Sequence, residues 1–365
     1  MINTLAALAA SLALSAEAPA PSPASAMDRV VNAAAASGLA GAVLVGDETR
    51  TLYARAISAP GRPHALHEVW RWASVTKQFT ATLVMQQVEA GRLSLDDTVA
   101  DRLPAFTGPG AEAITLRMLL QHTSGLPDPS ATPAVDDIMP AFYRRDTPGV
   151  GGMSDALGFC AGPQRAEPGA GFNYNNCDYI VLGAVLERAA GKPFAVLLQD
   201  RIAGPLKLSS LHMASGGAPA PKTVVGRISA DKVEPPFVLA TFGPAGSAYG
   251  KPEDLLRFDQ ALLGNRLLSP SFTAVAWKGE PKLGYVALGA WSFPAPLKGC
   301  KGAVALVERR GEIGGVEVRN LIAPALKRVL VVFADRSDIE FGEIWQGKGL
   351  SYDLASAAFC ETPAP

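Results

Sequence analysis

The sequence predicts a mixed α/β protein: an antiparallel sheet flanked by helices, with a mostly helical subdomain inserted into it. Three observations carry that expectation. Near the N-terminus, Ala40 to Val45 and Thr51 to Ala56 are short apolar runs joined by a Gly-Asp-Glu turn at 46–48, so they read as a hairpin. The last third holds three more strands, at 303–310, 316–322 and 329–334. The last of these is an almost unbroken apolar run, which places it centrally in a sheet covered on both faces. Between the two ends the helical period dominates. The expected organisation is therefore an α/β subdomain from 27–72 and 245–362, a helical subdomain from 73–244, and a leader with linker at 1–26.

The elements follow in order. Met27 to Ser37 reads as a helix ending at Gly38. A second helix spans about Ser74 to Ala90, because Phe79, Leu83, Val84 and Val88 recur at helical spacing and Gly91 stands where a C-terminal cap would. Leu116 to Gln121 is a short helix, and 127–152, rich in Pro, Gly, Asp and Ala, is a surface excursion able to rim a site. A helix entered near Asn176 runs to Ala190 and stops at Gly191. Another begins with Pro252 in its first turn, and a final helix from Ser351 to Phe359 covers one sheet face.

With 365 residues and 48% hydrophobic content, the chain has ample material for a substantial core. Its 33 basic and 34 acidic residues leave a net charge of −1, which gives no electrostatic footprint for nucleic acid. The four cysteines lack a Cys-x-x-Cys pair and the four histidines lack a His-Glu-x-x-His arrangement, so no metal or other cofactor is expected. The first eighteen residues are rich in Ala and Leu, with small-residue cleavage sites at 16–18 and 24–26. They resemble an export signal without its usual positive start, and periplasmic or secreted placement is expected. No later stretch is long enough for a membrane anchor. The partner expected is a small molecule or peptide; oligomeric state is not written in the sequence.

Chemistry concentrates at Ser74 and Lys77. Three residues apart at a helix start, they share one face, where a partly desolvated amine can take the serine's proton and the helix N-terminus favours developing negative charge. Ser229 and Lys232 have the same spacing, but Val233-Glu234-Pro235-Pro236 forbids a helix there. Asp96 and Asp97 read as turn and cap residues rather than an acid/base pair. His122, beside Thr123 and Ser124, stands in a tight turn marked by Gly125 and Pro127 and reads as structural, since no Gly-x-Ser-x-Gly elbow exists. Tyr174 and Asn176 form the one Tyr-x-Asn: a tyrosine near a lysine can share the general base role, and the amide can orient a substrate carbonyl and hold the lysine.

Ser74-x-x-Lys77, the run Leu119 to Leu126 (LLQHTSGL), and Tyr174-x-Asn176 followed by Tyr179 to Gly183 resemble, in order and spacing, the serine beta-lactamase-related family. That family includes class C beta-lactamases, penicillin-binding proteins, D-aminopeptidases and family VIII esterases. Gly243 to Phe258 resembles its glycine-rich turn and following helix. The resemblance implies the beta-lactamase/transpeptidase-like fold and a serine hydrolase acting through an acyl-enzyme. Ser74 would be the nucleophile, Lys77 and Tyr174 the proton carriers and Asn176 the orienting amide, in a cleft between the subdomains.

The family's third motif, a strand Lys-Thr-Gly or His-x-Gly, is matched to Gly311-Glu312-Ile313-Gly314-Gly315. On that alignment Glu312 replaces the cation, Gly314 borders the substrate and the N–H of Gly315 joins that of Ser74 in the oxyanion hole. A carboxylate beside Glu312 would meet repulsion of about 1 kcal/mol in water and about 4 kcal/mol at an effective dielectric of 20, with Arg310 on the same strand face able to neutralise it. An ester, an amide or a D-residue with a free amine then fits better than a beta-lactam or D,D-peptidase substrate. A catalytically silent binding or sensor domain is the alternative that Glu312 motivates. For the cysteines, pairs Cys160–Cys177 and Cys300–Cys360 are the candidate disulfides, with four free thiols as the alternative.

Overall fold

The computed structural model describes residues 23–135, 138–144, 153–216 and 221–361. Most of the export signature, at 1–22, lies outside the described residues, as does 145–152 of the excursion. Among the described residues no helix is long and apolar enough to cross a membrane, and no group of three His, Cys, Asp or Glu is placed to hold a metal.

One antiparallel sheet is built from both ends of the chain. Its strands are β1 (Gly41–Gly46), β2 (Thr51–Ile57), β3 (Trp291–Ala295), β4 (Val304–Ile313), β5 (Val316–Ala323) and β6 (Arg328–Ala334), in the order β2-β1-β6-β5-β4-β3. The main helices are α1 (Pro23–Ala36), α2 (Thr76–Glu89), α3 (Cys177–Ala190), α4 (Pro252–Leu263) and α5 (Leu350–Phe359). Every residue of β1 and β6 is buried, because the sheet is covered on both faces. Val43, Val45, Leu330 and Val332 pack with α1 and α5, while Ala42, Leu44, Val331 and Phe333 belong to the second core with α2, α3 and α4. Each of the Val, Leu and Phe side chains among these contributes about 1.5–3 kcal/mol on burial.

Three departures from expectation bear on the site. The nucleophile helix opens with a 3-10 turn at Ala73–Val75 before α2 begins at Thr76. Strand β4 runs to Ile313, three residues past the expected end, because Gly311 and Ile313 still pair with Val318 and Val316. The hairpin then turns at Gly314 and Gly315, with Gly314 at φ +58°. Strand β3 was hidden by Pro294, which sits on the sheet's edge where a missing N–H breaks no central ladder.

Cys160 is joined to Cys177 at the start of α3, and Cys300 to Cys360 at the end of α5. The first bridge braces the segment that carries Tyr174 and Asn176; the second fastens the terminal helix to the loop before β4. With sequence separations of 17 and 60, the chain-entropy model gives about 3 and about 4 kcal/mol respectively. Denaturant unfolding with and without a reductant should therefore show a loss of several kcal/mol on reduction. Equal midpoints in the two conditions would rule out a stabilising role for either bridge.

Candidate active site

Ser74 is positioned by a buried, polar first half of α2. Thr76, Lys77, Gln78, Thr80 and Thr82 are all buried, and each polar head finds a partner. The Thr76 hydroxyl donates to the Ala73 carbonyl at 2.6 Å and that of Thr80 to the Pro244 carbonyl at 2.7 Å, while Gln78 accepts from Asn320 at 2.8 Å. These bonds lock α2 against the segment before α4 and against the sheet. Ser74 stands at its mouth.

Lys77 is fully buried, and its Nζ lies 3.1 Å from Ser74 Oγ, 2.7 Å from Asn176 Oδ1 and 2.8 Å from the Ala245 carbonyl. Three acceptors match the three donors of an ammonium. Burial is the chief cause that lowers its pKa to about 8, the charge and hydrogen bond of the Tyr174 phenol oxygen oppose this, and the Arg309 charge adds to it. Asn176 is held at both ends: its Nδ2 donates to Tyr143 Oη at 2.8 Å and Ser130 Oγ at 3.1 Å, and its backbone N–H to Asp128 at 3.1 Å. Its orientation is therefore fixed by the fold.

Tyr174 Oη lies 2.8 Å from Ser74 Oγ on one side and accepts from Arg309 Nη2 at 2.7 Å on the other. Burial pushes this phenol upward, but the charges of Arg309 and Lys77 outweigh it and bring the pKa down to about 8. Arg309, only 1% exposed, also donates from Nε to the Ser74 carbonyl at 2.8 Å. Its guanidinium lies 5.2 Å from the centre of the Trp291 ring.

Arg309 was not singled out from the sequence, and its position corrects the third motif. Along β4, Leu306 belongs to the core under α1 and α5 and Val307 to the core containing α2. By strand alternation Arg309, Gly311 and Ile313 share the Ser74 side, while Glu308, Arg310 and Glu312 face the other way. A Cβ added to Gly311 would lie 2.6 Å from the Trp72 carbonyl and 3.2 Å from the Ser74 nitrogen, so the strand needs glycine to approach the nucleophile. The motif is Arg309-x-Gly311.

Glu312 therefore does not stand beside a substrate at Ser74; it is exposed and pairs in register with Glu317. Arg310 is bound by Glu308 at 2.9 Å and Glu343 at 2.5 Å on that opposite face. Gly314 is a hairpin residue against Glu234. Gly315 cannot serve the oxyanion hole, because its N–H donates to Glu234 at 2.8 Å, the same carboxylate that pairs with buried Arg71. The signal missed was the alternation, which a strand end set three residues too early concealed.

The remaining candidates separate cleanly. His122 Nδ1 is 2.9 Å from Asp178, which also accepts from Ser124 and Asn175. Burial first, then Arg309 and Lys77, hold the imidazole well below its usual range, and its ring backs Tyr174 at 4.4 Å. Ser229 and Lys232 close a turn on their own backbones. Asp97 accepts from Ser94 at 2.6 Å and pairs with Arg102, which makes it a turn residue.

The chain is similar in sequence and fold to several known proteins. The chain is 30% identical to esterase EstB of Burkholderia gladioli over 65% of this chain and 69% of that one, and 30% identical to penicillin-binding protein 4 of Amycolatopsis lactamdurans. It spans 60% of the latter's length and aligns over 62% of its own. The crystal structure of a D-stereospecific amidohydrolase from Streptomyces sp. superposes with a TM-score of 0.71 over 93% of this chain and 99% of that one, at 26% identity. D-amino acid amidase of Ochrobactrum anthropi SV3, at 20% identity and a TM-score of 0.75 over 92% of this chain and 97% of its own, shares the fold. The Beta-lactamase family model matches residues 25–312, which contain Ser74, Lys77, Tyr174 and the Arg309-x-Gly311 strand, and the chain belongs to that family.

Proposed function

We propose that this protein is a serine hydrolase that cleaves small esters or amides through an acyl-enzyme on Ser74. The observation that carries the reading is Ser74 Oγ held between Tyr174 Oη at 2.8 Å and Lys77 Nζ at 3.1 Å. Tyr174, bonded to Arg309, takes the serine proton as Oγ forms a bond to the substrate carbonyl carbon, and Lys77 steadies the developing charge as an ammonium. The N–H groups of Ser74 and of Glu312, next to Gly311 on a strand edge that β3 leaves unpaired beyond Glu308, receive the oxyanion. Collapse expels the alcohol or amine with the proton from Tyr174. Water, deprotonated by the same oxygen, then releases the acid and restores Ser74.

With Arg309 rather than Glu312 on the Ser74 side of β4, the repulsion that Glu312 would have offered a substrate carboxylate does not arise, and two of the five guanidinium N–H groups are taken by Tyr174 and the Ser74 carbonyl. The motive for a silent binding domain goes with Glu312. Export to an oxidising compartment fits the two disulfides.

Ser74→Ala should lower turnover of an activated aryl ester by at least about a thousandfold. Retention of wild-type turnover would refute the mechanism. The pH profile gives a second test. With Lys77 and Tyr174 both near 8, acylation should rise as Tyr174 loses its proton and fall as the Lys77 ammonium loses its own, a bell whose apparent values belong to the pair. Arg309→Met removes a charge that lowers both, so the rise should move to higher pH by at least about one unit, which is a tenfold loss on the rising limb. An unmoved profile in a folded variant would show that Arg309 does not set the base.

A further inference from the structure

On the outer face of β3 and β4 lies a cavity of about 470 Å³, lined by Trp291, Phe293, Tyr285, Trp345, Glu308 and Arg310. Glu308 and Arg310 place it on the sheet face away from Ser74, and Trp291, on the edge strand β3, reaches from it toward the site. Trp291 lines the cavity, and its ring stands 5.2 Å from the Arg309 guanidinium and 6.5 Å from the Tyr174 ring. Three exposed aromatic side chains gather around this wall. Phe172, 39% exposed, meets Trp291 edge-on at 6.1 Å; Tyr285, also 39% exposed, lines the cavity; and Trp345, 54% exposed, meets Phe293 edge-on at 5.7 Å.

Exposed aromatic rings that converge on one cavity mark a binding surface rather than a core. The charges in its wall are already satisfied. Glu308, 1% exposed, pairs with Arg310, and Arg310 is also held by Glu343 while stacking 5.3 Å over Trp345. A charged ligand group would find no open partner there, whereas an uncharged ring would be enclosed by rings.

We propose that this cavity is a subsite for an uncharged aryl or bulky apolar group of the substrate, reached past Trp291 from the carbonyl at Ser74. The inference rests on the hydrolase reading for the word substrate, and on the cavity alone for binding. It makes the preferred compounds arylalkyl esters or amides rather than short acyl ones, with Trp291 as the divider between reacting centre and side group.

The test uses two readouts. In Ser74→Ala protein, titration calorimetry with 4-phenylbutyramide should show binding that Trp345→Ala weakens by about tenfold, the usual scale for loss of one enclosing ring. Acetamide should show none. In protein that keeps Ser74, Trp345→Ala should lower kcat/KM for 4-nitrophenyl 4-phenylbutyrate by a similar factor and leave 4-nitrophenyl acetate unchanged. Trp345 is half exposed, so its truncation spares the core. Aryl amide binding that is absent, or indifferent to Trp345→Ala, overturns the subsite. Binding sensitive to Trp345 in a protein that turns over neither ester upholds the subsite and overturns the hydrolase reading instead.

Discussion

The whole site depends on a lysine ammonium placed where water does not reach. A charge in that position is costly unless every donor is matched, and here the matching groups come from three separate parts of the chain. Ser74 Oγ belongs to the turn before α2, Asn176 to the start of α3, and the Ala245 carbonyl to the segment leading to α4. Satisfying Lys77 therefore fixes the relative positions of these segments. The same constraint lowers its pKa toward the working range of a proton carrier, so folding and chemistry draw on one set of contacts.

Arg309 extends that constraint to the sheet. It reaches from β4 to the Ser74 carbonyl and to Tyr174, so the strand is registered against the nucleophile by two bonds as well as by the glycine at 311. Two cations beside one phenol explain why a buried tyrosine titrates below, rather than above, an exposed one. Tyr179, buried nearby, also feels the Arg309 charge, but its hydroxyl donates to the Leu120 carbonyl and burial outweighs that charge and raises its pKa. The two tyrosines thus differ in direction: the charges around Tyr174 outweigh burial, and those around Tyr179 do not.

Much of this was legible in the sequence for local reasons. Ser74 and Lys77 could be placed together because helical spacing is rigid, and the apolar run of β6 predicted its central place because a strand buried on both faces has no polar side. What was not legible depended on strand limits and tertiary partners. Ending β4 at Arg310 put Glu312 where Arg309 belongs, and a shift of that kind exchanges the two faces of a strand. Gly315 was assigned to the oxyanion hole because nothing local reveals that Glu234, eighty-one residues earlier, captures its N–H. The aromatic cluster around Trp291 was invisible for a similar reason: Phe172, Tyr285 and Trp345 lie far apart in the chain.

The sheet's strand order carries a consequence for synthesis. β1 pairs with β2 on one side and with β6, from the far end of the described chain, on the other. Until β6 emerges, β1 has no inner neighbour and β4 has no bridge to it, so Arg309 is not held over Tyr174. Such long-range closure is slow and comes late. Ser74 thus meets Arg309 and the Tyr174 hydroxyl only after β4 has joined a sheet that closes across most of the described chain.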